Sequence, residues 1–140
     1  MESTTADEFI PALQQWCETQ TPRLCVLFGS QATGHTHPTS DIDLAVWPQQ
    51  PFPPTRKLKW LTELETKLSR DVSLVVVTPE LNPVLGFEII QNGRLIYEEK
   101  EGMWADERAR LWHLHNDSLP FRRALRRQLR EFAREVHRGS

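Results

Sequence analysis

Gly29-Ser30 is followed, after ten intervening residues, by Asp41-Ile42-Asp43. Residues of these types at this spacing can hold a phosphate chain and a metal ion together. On a strand, side-chain alternation projects Asp41 and Asp43 from one face, with their α-carbons roughly 6–7 Å apart. Two ionised carboxylates so placed repel, and one takes up a proton unless a cation lies between them. Magnesium suits the pair, because it takes one or two protein carboxylates and completes its shell with water and phosphate oxygens. Gly29 lets the backbone approach a phosphate closely, and Ser30 offers hydroxyl and amide donors. A helical turn beginning at Ser30 adds its positive end, and Ser40, at the entry to the acidic segment, joins Gly29 and Ser30 as a nucleotide-binding candidate. The arrangement presents the α-phosphate of a triphosphate to a nucleophile, with pyrophosphate as the leaving group. Such chemistry is mostly positioning and charge neutralisation, so few residues suffice.

The elements that must position these residues are legible in the pattern of apolar positions. Phe9, Ile10, Leu13 and Trp16 recur at helical spacing, predicting a helix over about 5–19 with Thr5 as its cap; Pro11 leaves open a later start near Ile10. Leu24 to Phe28 is a short, continuously apolar run, as expected for a strand buried on both faces, and it stops at Gly29. Residues 31–40 are rich in turn formers, and Asp41 to Trp47 then reads as a second strand. Pro48, Pro51, Pro53 and Pro54 make a stiff extended connection. Thr55 caps a second helix with Leu58, Leu61, Leu64 and Leu68 on one face, and Val72 to Val77 makes a third strand. A short helix from about Leu81 to Asn92, closed by Gly93, precedes the brief strand Arg94 to Tyr97. A long terminal helix or helix pair follows, with a break expected at Asp117 to Pro120. The fold class is α+β: a small mixed sheet with packed helices.

Chain length and composition bound the remainder. The 140 residues predict one domain over 1–140, with a C-terminal helical extension from about 102. A hydrophobic content of 39% with five Trp residues excludes disorder, and the net charge of −2 gives no overall attraction to nucleic acid or an anionic membrane. Cys17 and Cys25 lie in apolar segments and read as buried free thiols. No segment is apolar enough to span a bilayer and no targeting signal is recognisable, so the cytoplasm is the expected compartment. His35 and His37 lack a third ligand at an established metal spacing and read as loop surface; His113, His115 and Asp117 read as a helix end. Arg122, Arg126 and Arg130 flank an apolar stripe of Phe121, Leu125, Leu129 and Phe132. That helix can be a solvated face, a nucleic-acid contact or a docking surface for a partner.

The run LFGSQATGHTHPTSDIDLAVW resembles the signature of the minimal nucleotidyltransferases of the DNA polymerase beta superfamily, Gly-Ser-x10-Asp-x-Asp. From about Leu24 to the end, including Arg70 to Thr78, Pro79 to Gly93, RLIYEE and the Arg-rich helix, the chain is similar to antitoxin-type members. The resemblance implies a polymerase-beta-like fold, Mg2+ on Asp41 and Asp43, ATP as substrate, and a HEPN-domain ribonuclease toxin as partner. It further implies transfer of AMP to a toxin tyrosine, which silences the toxin. Members usually carry a third carboxylate in a Val-Asp-Leu-Val-like strand, where this chain reads Val72-Ser73-Leu74-Val75. Ser73 is a poor metal ligand and base at neutral pH, whereas Asp71, two residues earlier, should point to the same side and is the candidate third catalytic acid. Two alternatives stay open: an antitoxin that neutralises by binding alone, and transfer to a small hydroxylated molecule, which would want a further substrate domain.

Overall fold

The computed structural model describes residues 6–29 and 41–138. Among them the element order is α1 (Ala6–Gln20), β1 (Leu24–Phe28), β2 (Ile42–Trp47), α2 (Thr55–Leu68), β3 (Val72–Val76), α3 (Pro83–Asn92), β4 (Arg94–Glu98) and α4 (Met103–Arg138). The strands form one mixed sheet in the order β3-β2-β1-β4, with β1 antiparallel to both neighbours and β2 parallel to β3. This is the expected α+β architecture, and no described helix is long and apolar enough to cross a membrane.

Helices cover both faces of the sheet, which explains why every side chain of β1 is buried. On one face Phe9, Leu13, Trp16 and Cys17 of α1 and Trp60, Leu64 and Leu68 of α2 pack with Cys25, Leu27, Ile42, Leu44 and Val46. On the other, Ile89 and Ile90 of α3 and Trp104 and Leu111 of α4 pack with Leu24, Val26, Phe28, Ala45 and Trp47. Strand alternation thus assigns the odd-numbered positions of β2, including Asp43, to the face covered by α3 and α4. Cys17 and Cys25 are buried free thiols, and their contact, reinforced by burial, pushes the Cys25 thiol well above its ordinary pKa.

Four local expectations are corrected. The helix α1 runs from Ala6 and contains Pro11, so it does not begin near Ile10; the proposed cap Thr5 lies outside the described residues. Thr55 is the first residue of α2 and makes no cap, since Pro54 occupies that place without a side-chain bond. Leu58 is 69% exposed, because the buried stripe of α2 is set by Trp60, whose ring meets Trp16 edge-on at 5.2 Å and Phe52 at 4.7 Å. The helix α4 continues through Asp117 to Pro120 without a break. Pro120 removes one amide donor, but the segment that follows is dense in Ala, Leu and Arg, which favour the helix.

Gly93 does follow α3, but for a reason of space. Its backbone is extended (φ −68°, ψ 141°), not left-handed. A β-carbon there would fall on the Ile89 carbonyl oxygen and lie 2.9 Å from Val26 and 3.3 Å from Trp104. Asn82 supplies the cap at the other end of α3, accepting a bond from the Val84 amide at 2.8 Å, with Pro83 in the first turn.

Candidate active site

The site is built at one end of the sheet, where β1 finishes and β2 begins. Phe28 pairs with Asp43, so Gly29 leaves β1 beside the acidic strand. Gly29 adopts φ +73°, a left-handed conformation that ends the extended run of β1. A β-carbon at Gly29 would fall on a carboxylate oxygen of Asp43 and lie 3.0 Å from its Cγ. Glycine is therefore required twice, by its backbone and by the carboxylate lying over it.

Asp43 is half-buried and Asp41 is exposed at the mouth of β2. Burial first, then the negative charges of Asp41 and Glu88, raise the Asp43 pKa above its ordinary value. A carboxylate held in this way is short of positive charge, and a bound cation would relieve it. Among the described residues no three His, Cys, Asp or Glu side chains are gathered closely enough to hold a metal by themselves. Two neighbouring carboxylates are a donor set that an ion taking its remaining ligands from water and phosphate can use, which is the habit of magnesium.

On the other side of β2, Asp43 pairs in register with Ser73 of β3, and the Ile42 amide donates to the Asp71 carbonyl at 3.0 Å. Asp71 thus lies at the mouth of the sheet, exposed, just before the first paired residue of β3. The parallel register is regular from Val72 onward, and the position beside Asp43 belongs to Ser73. Ser30 and Ser40, with His35 and His37, lie outside the described residues.

Residues 12–102 match the family described as polymerase beta, nucleotidyltransferase. The chain belongs to this nucleotidyltransferase family. No curated protein sequence matches it. Among solved structures, the fold of this nucleotidyltransferase is similar to a chain of a toxin–antitoxin complex with AMP-PNP, at TM-score 0.75 and 20% identity over 86% of this chain and 97% of that one. It is also similar to a chain of the complex between tri-AMPylated Shewanella oneidensis HEPN toxin and MNT antitoxin, at TM-score 0.72 and 17% identity over 89% and 98%. A third similar chain comes from the MntA–HepT toxin–antitoxin pair, at TM-score 0.66 and 18% identity over 89% and 95%.

The acid that sequence reasoning missed is Glu88. It is the only charged residue of α3, interrupting an otherwise apolar run from Val84 to Ile90. That interruption was a readable signal, but its meaning depends on where the helix ends up. A concavity of this nucleotidyltransferase, of about 860 Å3, lies at the far end of the sheet between Arg23, Trp47, Thr78, Met103 and Arg110. It is remote from Asp41 and Asp43 because β2 carries Asp43 at one end and Trp47 at the other.

Proposed function

We propose that this chain is a magnesium-dependent protein adenylyltransferase that acts as an antitoxin, moving AMP from ATP to a tyrosine of a HEPN toxin. The observation that carries the reading is Asp43 entering β2 beside the left-handed Gly29, with Asp41 two residues earlier, in a nucleotidyltransferase fold. Asp41 and Asp43 would hold Mg2+, which when bound neutralises the triphosphate and the charge on the departing pyrophosphate. The Gly29 turn, with Ser30 and Ser40, would cradle the phosphates and aim the α-phosphorus at the incoming hydroxyl. Support for a protein acceptor comes from the similar fold in a complex whose HEPN toxin carries three AMP groups. Support for ATP comes from the similar fold crystallised with AMP-PNP.

The chain would serve this role as one nucleotidyltransferase unit, with α4 as its C-terminal extension. The described part of α4 leaves Leu129 59% and Phe132 65% exposed among arginines, apolar area that a protein partner could cover. The side chains of Phe121, Arg122 and Leu125 lie outside those described. ATP and a ribonuclease toxin meet in the cytoplasm, and the two buried free thiols accord with a reducing compartment.

The deciding experiment incubates the purified chain with ATP, Mg2+ and a HEPN toxin and weighs the toxin intact. The expected outcome is a gain of one or more AMP units that disappears with Asp41→Asn/Asp43→Asn. A toxin neutralised without any gain of mass would overturn transfer and leave an antitoxin that works by binding.

A further inference from the structure

A hydroxyl that attacks phosphorus must lose its proton, and Asp41 and Asp43 are poorly suited to receive it once they hold a metal ion. Ser73, the side chain level with Asp43 on β3, has no basic group to offer. A carboxylate from another element on the face of Asp43 is therefore a candidate base.

The path of the chain brings one. After β3 the chain turns at the far end of the sheet, by Thr78 and Pro79, and α3 returns toward the Gly29 end. The return is fixed by β4, whose first residue, Arg94, pairs with Leu27 only two residues from Gly29. The C-terminal half of α3 is therefore at the Asp43 end of the sheet. It also covers the Asp43 face, because Ile89 and Ile90 bury themselves with Val26 and Phe28, and Phe28 is the residue paired with Asp43. Glu88, immediately before these anchors, is exposed. Its charge is felt at Asp43, where it adds to the charge of Asp41. Asp71 and Ser73 approach β2 from the β3 side, whereas Glu88 approaches over β1.

We infer that Glu88 is the catalytic proton acceptor of this enzyme, standing on α3 opposite the place where the strand residue Ser73 lacks a carboxylate. The inference rests on the adenylyltransferase reading above. In the step, the acceptor tyrosine oxygen forms a bond to the α-phosphorus while the bond from that phosphorus to the bridging oxygen breaks. Pyrophosphate leaves with the electron pair, and the phenolic proton passes to the Glu88 carboxylate. Because Glu88 is not needed to grip the nucleotide, its loss should fall on kcat and leave nucleotide binding intact.

The test compares wild type, Glu88→Gln, Glu88→Gln/Ser73→Asp and Asp41→Asn for AMP transfer to a HEPN toxin, with Mg2+·AMP-PNP affinity measured by calorimetry. Glu88→Gln should lower kcat on the order of 100-fold while KM for ATP and AMP-PNP affinity change by less than about twofold. Adding Ser73→Asp supplies a carboxylate from the β3 side and should recover at least about tenfold of the loss. Wild-type kcat in Glu88→Gln, with transfer still abolished by Asp41→Asn, would overturn the role of Glu88 and leave the proposed function standing. An equal loss of AMP-PNP affinity would also overturn it, making Glu88 a binding residue. A wild-type chain that transfers no AMP would overturn both.

Discussion

The two ends of the sheet treat a partly buried carboxylate in opposite ways. At the Gly29 end, Asp43 is surrounded by burial and by the like charges of Asp41 and Glu88, and its pKa is raised. At the other end, burial likewise opposes the charge of Glu107, but bonds from Arg110 and Trp47, with the Arg110 and Arg23 charges, outweigh it and hold the pKa below its ordinary value. The Trp47 indole donates to Glu107 at 2.6 Å, and Arg110 donates at 2.6 and 2.7 Å. Glu107 is satisfied by the protein itself and ties α4 to the end of β2. Among the described residues the groups named as acting on Asp43 all raise its pKa, a perturbation that marks it as a functional-site candidate.

The largest difference should appear in transfer. Asp43→Asn should lower the rate of AMP transfer by about 1000-fold or more, since it removes charge from the proposed metal site. Glu107→Gln should leave the rate within about twofold in the same assay. Equal losses would end the distinction between a working carboxylate and a structural one. Gly29→Ala should come next, with transfer reduced by about 100-fold and stability by about 1–2 kcal/mol in urea melts. Its new methyl must displace the Asp43 carboxylate, and its backbone must hold φ +73° with a side chain attached.

Stability should separate the two ends with opposite signs. Glu107→Gln should cost about 1–2 kcal/mol, because it weakens charge-assisted bonds to a side chain only 14% exposed. For wild-type Glu107 the folded pKa is lowered, so its stabilisation is complete above the unfolded value of 4.5 and is lost as the pH falls through the folded value. For Asp43 the folded pKa is raised, so the sign reverses: its contribution is favourable at low pH and is lost as the pH rises through the folded value. The smallest effect follows from this. Asp43→Asn should raise Tm without metal by about 1–3 °C once solvent screening is allowed for, and Mg2+ with AMP-PNP should raise the wild-type Tm more than that of the variant. A variant less stable than wild type would show that Asp43 contributes to the fold and is not held in reserve for a ligand.

Much of this was legible from local pattern. The apolar run Leu24 to Phe28, the turn at Gly29 and the alternation after Asp41 each depend on a few neighbouring residues, and strands β1 and β2 form where those signals lie. Helix faces were read less well. The Leu58 stripe was displaced by Trp60, because a large aromatic ring finding Trp16 and Phe52 outweighs the regular spacing of leucines. Asp71 is legible as an acid on the same side of the strand as Ser73, and the register of β2 with β3 adds that Ser73 stands beside Asp43 while the Asp71 carbonyl meets the Ile42 amide.

The sequence by itself set the expectation that Asp41 and Asp43 share a face, because the two-residue period of a strand is a local property of the backbone. It also marked Gly29 as the residue where the first apolar run stops and the backbone can approach a phosphate, whereas the clash of a side chain there with Asp43 came from the fold. Only the tertiary structure decided which groups answer those carboxylates. Glu88 is 45 positions beyond Asp43 in the chain and reaches the same end of the sheet because α3 folds back over β1, while Glu107 meets Trp47 because α4 crosses the opposite end. Such meetings depend on how buried faces pack and strands pair, and no local period encodes them.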